Sequence, residues 1–185
     1  MPKTKIASFY TLGCRLNQAE TAIISKGFAD KGFVVAEDSA AAAIAVINTC
    51  TVTENADAKC RNMIRRIQRR NPDTYIAVVG CYSQMAAETI ASIDGVDLIV
   101  GNQEKMQLAN IVTSLQKNTT PEVRVSTIRK EAFAIHTLGQ ESTKTRANLK
   151  IQDGCDFMCS FCIIPSPGAA VVPATGPTSV QRPKH

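Results

Sequence analysis

The chain has 185 residues, 44% of them hydrophobic and 20% charged, with a formal net charge of +5; this is enough apolar content for one real core and the start of a second domain. No apolar run reaches the ~20 residues of a membrane-spanning helix, and the opening "MPKTKIASFYTLGC" lacks the apolar stretch and small-residue cleavage site of a secretory leader, so a cytoplasmic protein without a membrane partner is expected. In that reducing compartment, seven spaced cysteines point to metal binding or reactivity rather than a disulfide framework, while the mild positive charge permits a nucleic-acid partner without requiring one.

Four short apolar runs, "KIASFYTLG", "AAIAVINT", "TYIAVVG" and "VDLIVGN", alternate with segments of helical period at about 17–31, 54–70, 83–93 and 104–116. Such alternation is the signature of βα units around a parallel sheet. Residues 1–116 are therefore expected to form an open α/β domain of Rossmann or flavodoxin-like type. In the second helix, Cys60, Met63, Ile64 and Ile67 recur at i, i+3, i+4 and i+7 and form its buried stripe. Arg61, Arg65, Arg66, Arg69 and Arg70 fall mostly on the outer side, as a solvated face or as contacts for nucleic-acid phosphates.

From 117 to 145 the composition turns polar, with one short extended piece at "PEVRVST", as in a linker. The stretch "RANLKIQDG" then reads as a new strand leading into a cysteine loop, so residues 146–165 begin a second domain. Residues 166–185 are rich in Pro, Ala and Gly, lack periodicity and are expected to be disordered.

Cys14, Cys50 and Cys81 each follow directly on one of the first three strands, at "TLGC", "INTC" and "VVGC". The carboxyl ends of neighbouring parallel strands share one edge, where open α/β folds place their sites. Three thiols distant in sequence are thus expected to meet and share a metal or cluster; the plainer alternative is three small buried residues at tight turns. Gly13 and Gly80 would permit sharp turns and the approach of a bulky inorganic ligand. Asn17 and Asn48 flank the same edge, to cap a helix or to hydrogen-bond to cluster sulfides, with capping the role expected of Asn17. Cys60, on a helix stripe, is structural.

The second set, Cys155, Cys159 and Cys162, has the spacing C-x3-C-x2-C. A structural zinc site needs four protein ligands, and the only histidines, His136 and His185, lie in the linker and at the terminus. Three thiolates can instead hold three irons of a 4Fe-4S cube and leave the fourth open to a small molecule.

In the setting "KIQDGCDFMCSFCIIP", this spacing resembles the cluster loop of radical S-adenosylmethionine enzymes; with "TLGCRLNQAET", "INTCTVTENADAK" and "VVGCYSQ" upstream, the chain is similar to the methylthiotransferases over roughly 5–165. The resemblance implies two 4Fe-4S clusters. Cys155, Cys159 and Cys162 would hold the one that binds S-adenosylmethionine and generates the 5′-deoxyadenosyl radical; Cys14, Cys50 and Cys81 would hold an auxiliary cluster that supplies or carries sulfur. It also implies a reducing electron donor and the tRNA anticodon stem-loop as partners. The stretch "TLGCRLNQAET" looks most like the branch that adds a 2-methylthio group to N6-threonylcarbamoyladenosine. Other branches act on isopentenyladenosine in tRNA or on a ribosomal protein.

After Pro165 the family usually continues with an arginine-rich stretch, the rest of a partial β/α barrel and an RNA-binding domain, whereas this chain reads "SPGAAVVPATGPTSVQRPKH". Codons exist under which a frame displaced by one nucleotide encodes "ARGRSRSRDWA", close to the family pattern. The expectation is an out-of-frame tail after a frameshift, and a chain inactive alone for want of the remaining barrel. Two readings of other classes compete with the enzyme: a non-catalytic iron-sulfur module, and a zinc-binding structural protein.

Overall fold

Strands built from residues such as Ile44–Thr49 (IAVINT) and Tyr75–Gly80 (YIAVVG) carry apolar side chains at nearly every position, so both of their faces must be covered. The computed structural model, which describes residues 5–51, 54–117, 119–128, 133–134, 152–153, 159–160 and 172–175, answers that demand with helices on both sides of a parallel sheet. In chain order its main elements are β1 (Ile6–Thr11), α1 (Arg15–Asp30), β2 (Val34–Ala36), β3 (Ile44–Thr49), α2 (Glu54–Arg70), β4 (Tyr75–Gly80), α3 (Cys81–Met85), α4 (Ala87–Ala91), β5 (Leu98–Val100), a 3₁₀ turn (Lys105–Gln107), α5 (Leu108–Ile111) and β6 (Glu122–Arg124).

The sheet order is β2-β1-β3-β4-β5-β6, with every pair parallel. This is the doubly wound arrangement of a flavodoxin-like α/β domain, in which the direction of winding reverses between β1 and β3. Alternate residues of each strand feed two cores. On one side Ile44, Val46, Ala77 and Val79 pack with Ile24 and Phe28 of α1 and Leu108 of α5. On the other, Ala45, Ile47, Ile76 and Val78 pack with Cys60, Ile64 and Ile67 of α2 and Ile90 of α4. The stripe expected on the second helix is thus buried as expected, with Met63 packed against it, and Arg65, Arg66, Arg69 and Arg70 lie exposed.

The helix α1 stops where Gly32 takes a φ of +83°. The N–H of Gly32 donates to the Ala29 carbonyl at 2.9 Å and that of Phe33 to the Phe28 carbonyl at 3.1 Å, the paired bonds with which a left-handed glycine satisfies the last carbonyls of a helix.

Several elements differ from the sequence expectation. The helix expected over 83–93 starts at Cys81 and is broken into α3 and α4 at Ala86, whose φ of −140° and ψ of 44° lie outside the helical region. The helix expected over 104–116 ends at Ile111, because Val112 turns extended with ψ 90°; Val112 and Thr113 are β-branched and lose χ1 freedom in a helix. The short strand β2 went unforeseen. The piece expected within a linker, "PEVRVST", supplies β6: once β5 is in place its open backbone edge accepts a parallel partner, with the Gly101 N–H on the Arg124 carbonyl at 2.8 Å.

Three further strands, β7 (Phe133–Ala134), β8 (Gln152–Asp153) and β9 (Val172–Thr175), form a small sheet of order β7-β9-β8. Part of the stretch expected to be a disordered tail is therefore a strand, paired parallel to β7 and antiparallel to β8. Its pairing rests on backbone groups, and Pro173 brings no N–H to it. Among the described residues no helix is long and apolar enough to cross a membrane.

Because Ile64 is fully buried in the α2 core, Ile64→Ala should lower the unfolding free energy by about 2–5 kcal/mol. Arg65→Ala, on the exposed side, should stay within about 0.5 kcal/mol; urea titration of the two variants measures both.

Candidate metal centre

The register of the sheet decides where the strand-end cysteines lie. Thr49 is the partner of Gly80 across β3 and β4, so one step further on Cys50 faces Cys81. Thr11 is the partner of Asn48 across β1 and β3, which by the same count sets Gly13 against Cys50 and leaves Cys14 one residue beyond. All three cysteines therefore lie at the carboxyl edge of β1, β3 and β4, beside the reversal in winding where such sheets bind their ligands. Cys14 is exposed, Cys50 is buried and Cys81 is half-buried; all are free thiols.

The glycines let these loops close on one another. Gly13 and Gly80 both have a φ of +101°, a conformation that side chains other than glycine rarely adopt. A Cβ on Gly13 would lie 2.3 Å from the Cys50 Cβ and 2.7 Å from its Sγ; one on Gly80 would lie 2.5 Å from the Thr49 carbonyl oxygen. At both glycines the space that a Cβ would take is filled by the neighbouring loop, so the lack of a side chain lets the strand-end loops close on one another.

Two asparagines fix the loops. Asn17 was expected to cap α1, but the residue at the cap position is Cys14 and makes no side-chain cap bond. The Asn17 amide instead donates to the carbonyls of Leu12 at 2.8 Å and Thr49 at 2.9 Å, while its Oδ1 faces the Cys14 thiol at 3.7 Å. It ties the end of β1 to the end of β3, a task that outweighs capping because both carbonyls lie past the last ladder bonds. Asn48 donates to the Asn17 carbonyl at 3.0 Å and to the Thr21 hydroxyl at 3.1 Å, and its buried Oδ1 has no hydrogen-bond partner among the described residues.

A polar chain that the sequence reading missed reaches the third thiol. Glu20 and Lys105, 0% and 5% exposed, form an ion pair at 2.6 Å. The Lys105 ammonium also donates to Asn102 Oδ1 at 3.0 Å, and Asn102 Nδ2 donates to the Cys81 Sγ at 3.8 Å. A signal for it was present: Glu20, Ile24 and Phe28 follow one another at i+4 spacing, so a carboxylate lies on the apolar stripe of α1 and needs a partner. That partner is 85 positions away, beyond the reach of local pattern.

Burial pushes the Cys81 thiol above its ordinary range. Lys105 and the Asn102 bond act against that rise, and Cys50 and Glu20 add to it. Cys60 is different in kind: burial, with the Asp57 charge, moves it from 9.0 to about 12, and it packs among Ile64 and Ile67. It is an inert core thiol, as its place on the stripe implied.

Among the described residues no three His, Cys, Asp or Glu side chains converge closely enough to hold a single metal ion. One zinc would draw its thiolates to a common centre with bonds of ~2.3 Å. A cube binds each thiolate through a different iron and spaces them further apart. A donor set made only of soft thiols, without carboxylate or imidazole, suits iron-sulfur chemistry, and α1 points its N-terminal amides at the same edge, where they favour an anionic group. The residues present fit a 4Fe-4S group. Of the second expected set, Cys159 is exposed, and Cys155 and Cys162 lie outside the described residues.

The arginine face of α2 is partly engaged. Arg66 and Arg70 pair with Asp38 at 2.8 and 2.6 Å, Arg61 donates to the Tyr82 hydroxyl at 3.0 Å, and Arg61 and Arg65 line a cavity of about 230 Å³ with Gln68, Thr89, Ser92, Ile93 and Asp94.

Comparison with known proteins adds the family. The family described as "Uncharacterized protein family UPF0004" matches residues 6–101, just over half of the chain. The chain is 40% identical over 159 residues to the threonylcarbamoyladenosine tRNA methylthiotransferase MtaB of Bacillus subtilis, covering 85% of this chain and 35% of that protein. It is 38% identical over 160 residues to the MtaB of Aquifex aeolicus, covering 85% and 39%. To the tRNA-2-methylthio-N(6)-dimethylallyladenosine synthase of Chloroherpeton thalassium it is 34% identical over 160 residues, covering 84% and 35%. The chain thus spans little more than a third of the length of these relatives.

The folded state holds the Cys60 proton where the unfolded chain has lost it, so this thiol's contribution to stability declines as pH rises from about 9 toward 12. Urea midpoints should fall over that window, and less steeply in Cys60→Ala. In native protein at pH 8, alkylation followed by mass mapping should label exposed Cys14 and Cys159 first and leave Cys60 unlabelled.

Proposed function

The chain belongs to the uncharacterized protein family UPF0004, and from that premise we propose that it is a tRNA methylthiotransferase that places a 2-methylthio group on N6-threonylcarbamoyladenosine beside the anticodon. The observation that carries this reading is the gathering of Cys14, Cys50 and Cys81 at the carboxyl edge of β1, β3 and β4. The names of the relatives supply the reaction, and the stretch "TLGCRLNQAET" favours the threonylcarbamoyl branch.

In this reading Cys14, Cys50 and Cys81 hold one 4Fe-4S cluster. By their spacing, Cys155, Cys159 and Cys162 hold another, on which S-adenosylmethionine binds. When bound, these groups supply an electron for cleaving S-adenosylmethionine and the sulfur to be transferred; the hard chemistry is theirs, and the protein's part is placement and shielding. Gly13 and Gly80 let the strand-end loops that bear these cysteines pack closely against one another. The Asn17 amide locks the carbonyls of Leu12 and Thr49, so the loops that bear Cys14 and Cys50 move together. The burial of Cys50 keeps water from one side of the centre, and the amide ends of α1 offset the negative charge of thiolate ligands. A reducing electron donor and the anticodon stem-loop of tRNA are the partners, in the cytoplasm.

The test is nucleoside mass spectrometry on tRNA from a strain that lacks the gene. The 2-methylthio group should vanish from N6-threonylcarbamoyladenosine and remain on dimethylallyladenosine. Loss from the dimethylallyl nucleoside alone would move the chain to the other branch, and unchanged tRNA would end the assignment. For the site itself, Cys14→Ser, Cys50→Ser and Cys81→Ser, each made in the full chain and reconstituted anaerobically, should each lose most of the iron and sulfide of the first centre, whereas Cys60→Ser should keep them.

A further inference from the structure

Of the polar groups near the strand-end thiols, the ion pair of Glu20 and Lys105 has no part in the reading above, yet it is almost fully buried. Buried pairs of this kind rarely add net stability over an apolar pair. What this one does is fix an orientation. A lysine ammonium can only donate, so the atom of the Asn102 side chain that faces it at 3.0 Å must be the carbonyl oxygen. The amide NH₂ must then point the other way, toward the Cys81 sulfur at 3.8 Å; a flipped amide would set NH₂ against the ammonium. The backbone of the same residue is held as well, its N–H donating to Gln84 Oε1 at 2.9 Å.

We propose that Glu20, Lys105 and Asn102 form a positioning relay that aims an amide N–H at the Cys81 sulfur and thereby raises the reduction potential of the cluster held there. This rests on the reading that Cys81 is a cluster ligand. An added electron increases the negative charge on the ligand sulfurs, and a donor already aimed at one of them stabilises the reduced state more than the oxidised one; hydrogen bonds to sulfur are among the recognised determinants of cluster potential. The carboxylate of Glu20 largely cancels the field of the lysine at longer range, so the effect at the sulfur acts through the oriented amide. Lys105 and Glu20 are thus positioning residues, not catalytic ones.

The experiment is a spectroelectrochemical titration of the full chain with Cys155, Cys159 and Cys162 changed to serine, reconstituted anaerobically with iron and sulfide, so that one centre is read. Asn102→Ala should shift the midpoint to lower potential with iron content unchanged. The paired change Glu20→Gln with Lys105→Met, which leaves no lone buried charge, should shift it in the same direction and by no more; the triple variant should match Asn102→Ala alone. An unchanged midpoint in Asn102→Ala overturns the relay, as does a triple variant whose shift equals the sum of the two. Should the paired variant fail to fold by circular dichroism, Asn102→Ala decides alone. A parent protein that takes up no iron would instead remove the cluster reading and this inference with it.

Discussion

Parallel pairing of β1, β3 and β4 in a single register is the constraint on which the site depends. Neighbouring strands in a sheet lie only ~4.8 Å apart, so residues that share a register step just past the strand ends are held near one another whatever their distance in sequence. Thr49 opposite Gly80 and Thr11 opposite Asn48 are enough to carry Cys50 to Cys81 and Gly13 to Cys50. A slip of one residue in either pairing would reverse every side chain of the moved strand. It would exchange its residues between two differently packed cores, each fitted to its own helices, which is why the register is secure.

The same edge holds a cluster of buried polar groups. Asn17, Asn48, Thr49 and Glu20 are buried there, and groups of this kind are tolerated only when their hydrogen bonds are made. Most are: Asn17 and Asn48 tie the ends of β1 and β3 to each other and to α1, and the Thr49 hydroxyl donates to the Val79 carbonyl at 2.6 Å. Cys60 provides the contrast within one protein. It is as buried as the core isoleucines around it, and burial together with the Asp57 charge pushes its thiol up to about 12. Two cysteines of similar burial, Cys50 and Cys60, thus differ by their position in the topology rather than by their exposure.

Much of this was legible in the sequence because it is periodic or positional. The βα rhythm gives the parallel sheet; the i, i+3, i+4, i+7 recurrence gives the buried face of α2; and three cysteines at equivalent strand ends mark one edge of that sheet as the candidate site. What escaped is what depends on contacts between distant segments. Local pattern marks "PEVRVST" as an extended piece but not as part of the sheet; Glu122–Arg124 joins it because β5 offers an unpaired edge. The capping expectation for Asn17 followed a sound preference that lost to two carbonyls in need of a donor. Lys105 is an ordinary surface lysine by composition, and only the burial of Glu20 opposite it reveals otherwise. The region of Cys155 and Cys162 stays a matter of spacing.

The most direct measurement is Mössbauer spectroscopy of the full chain carrying serine at 155, 159 and 162 after anaerobic reconstitution with ⁵⁷Fe and sulfide. The account predicts one 4Fe-4S signature per chain, lost when Cys50 is replaced. Iron that binds only as isolated ions, or a cluster that survives the replacement of Cys14, Cys50 and Cys81 together, would contradict it.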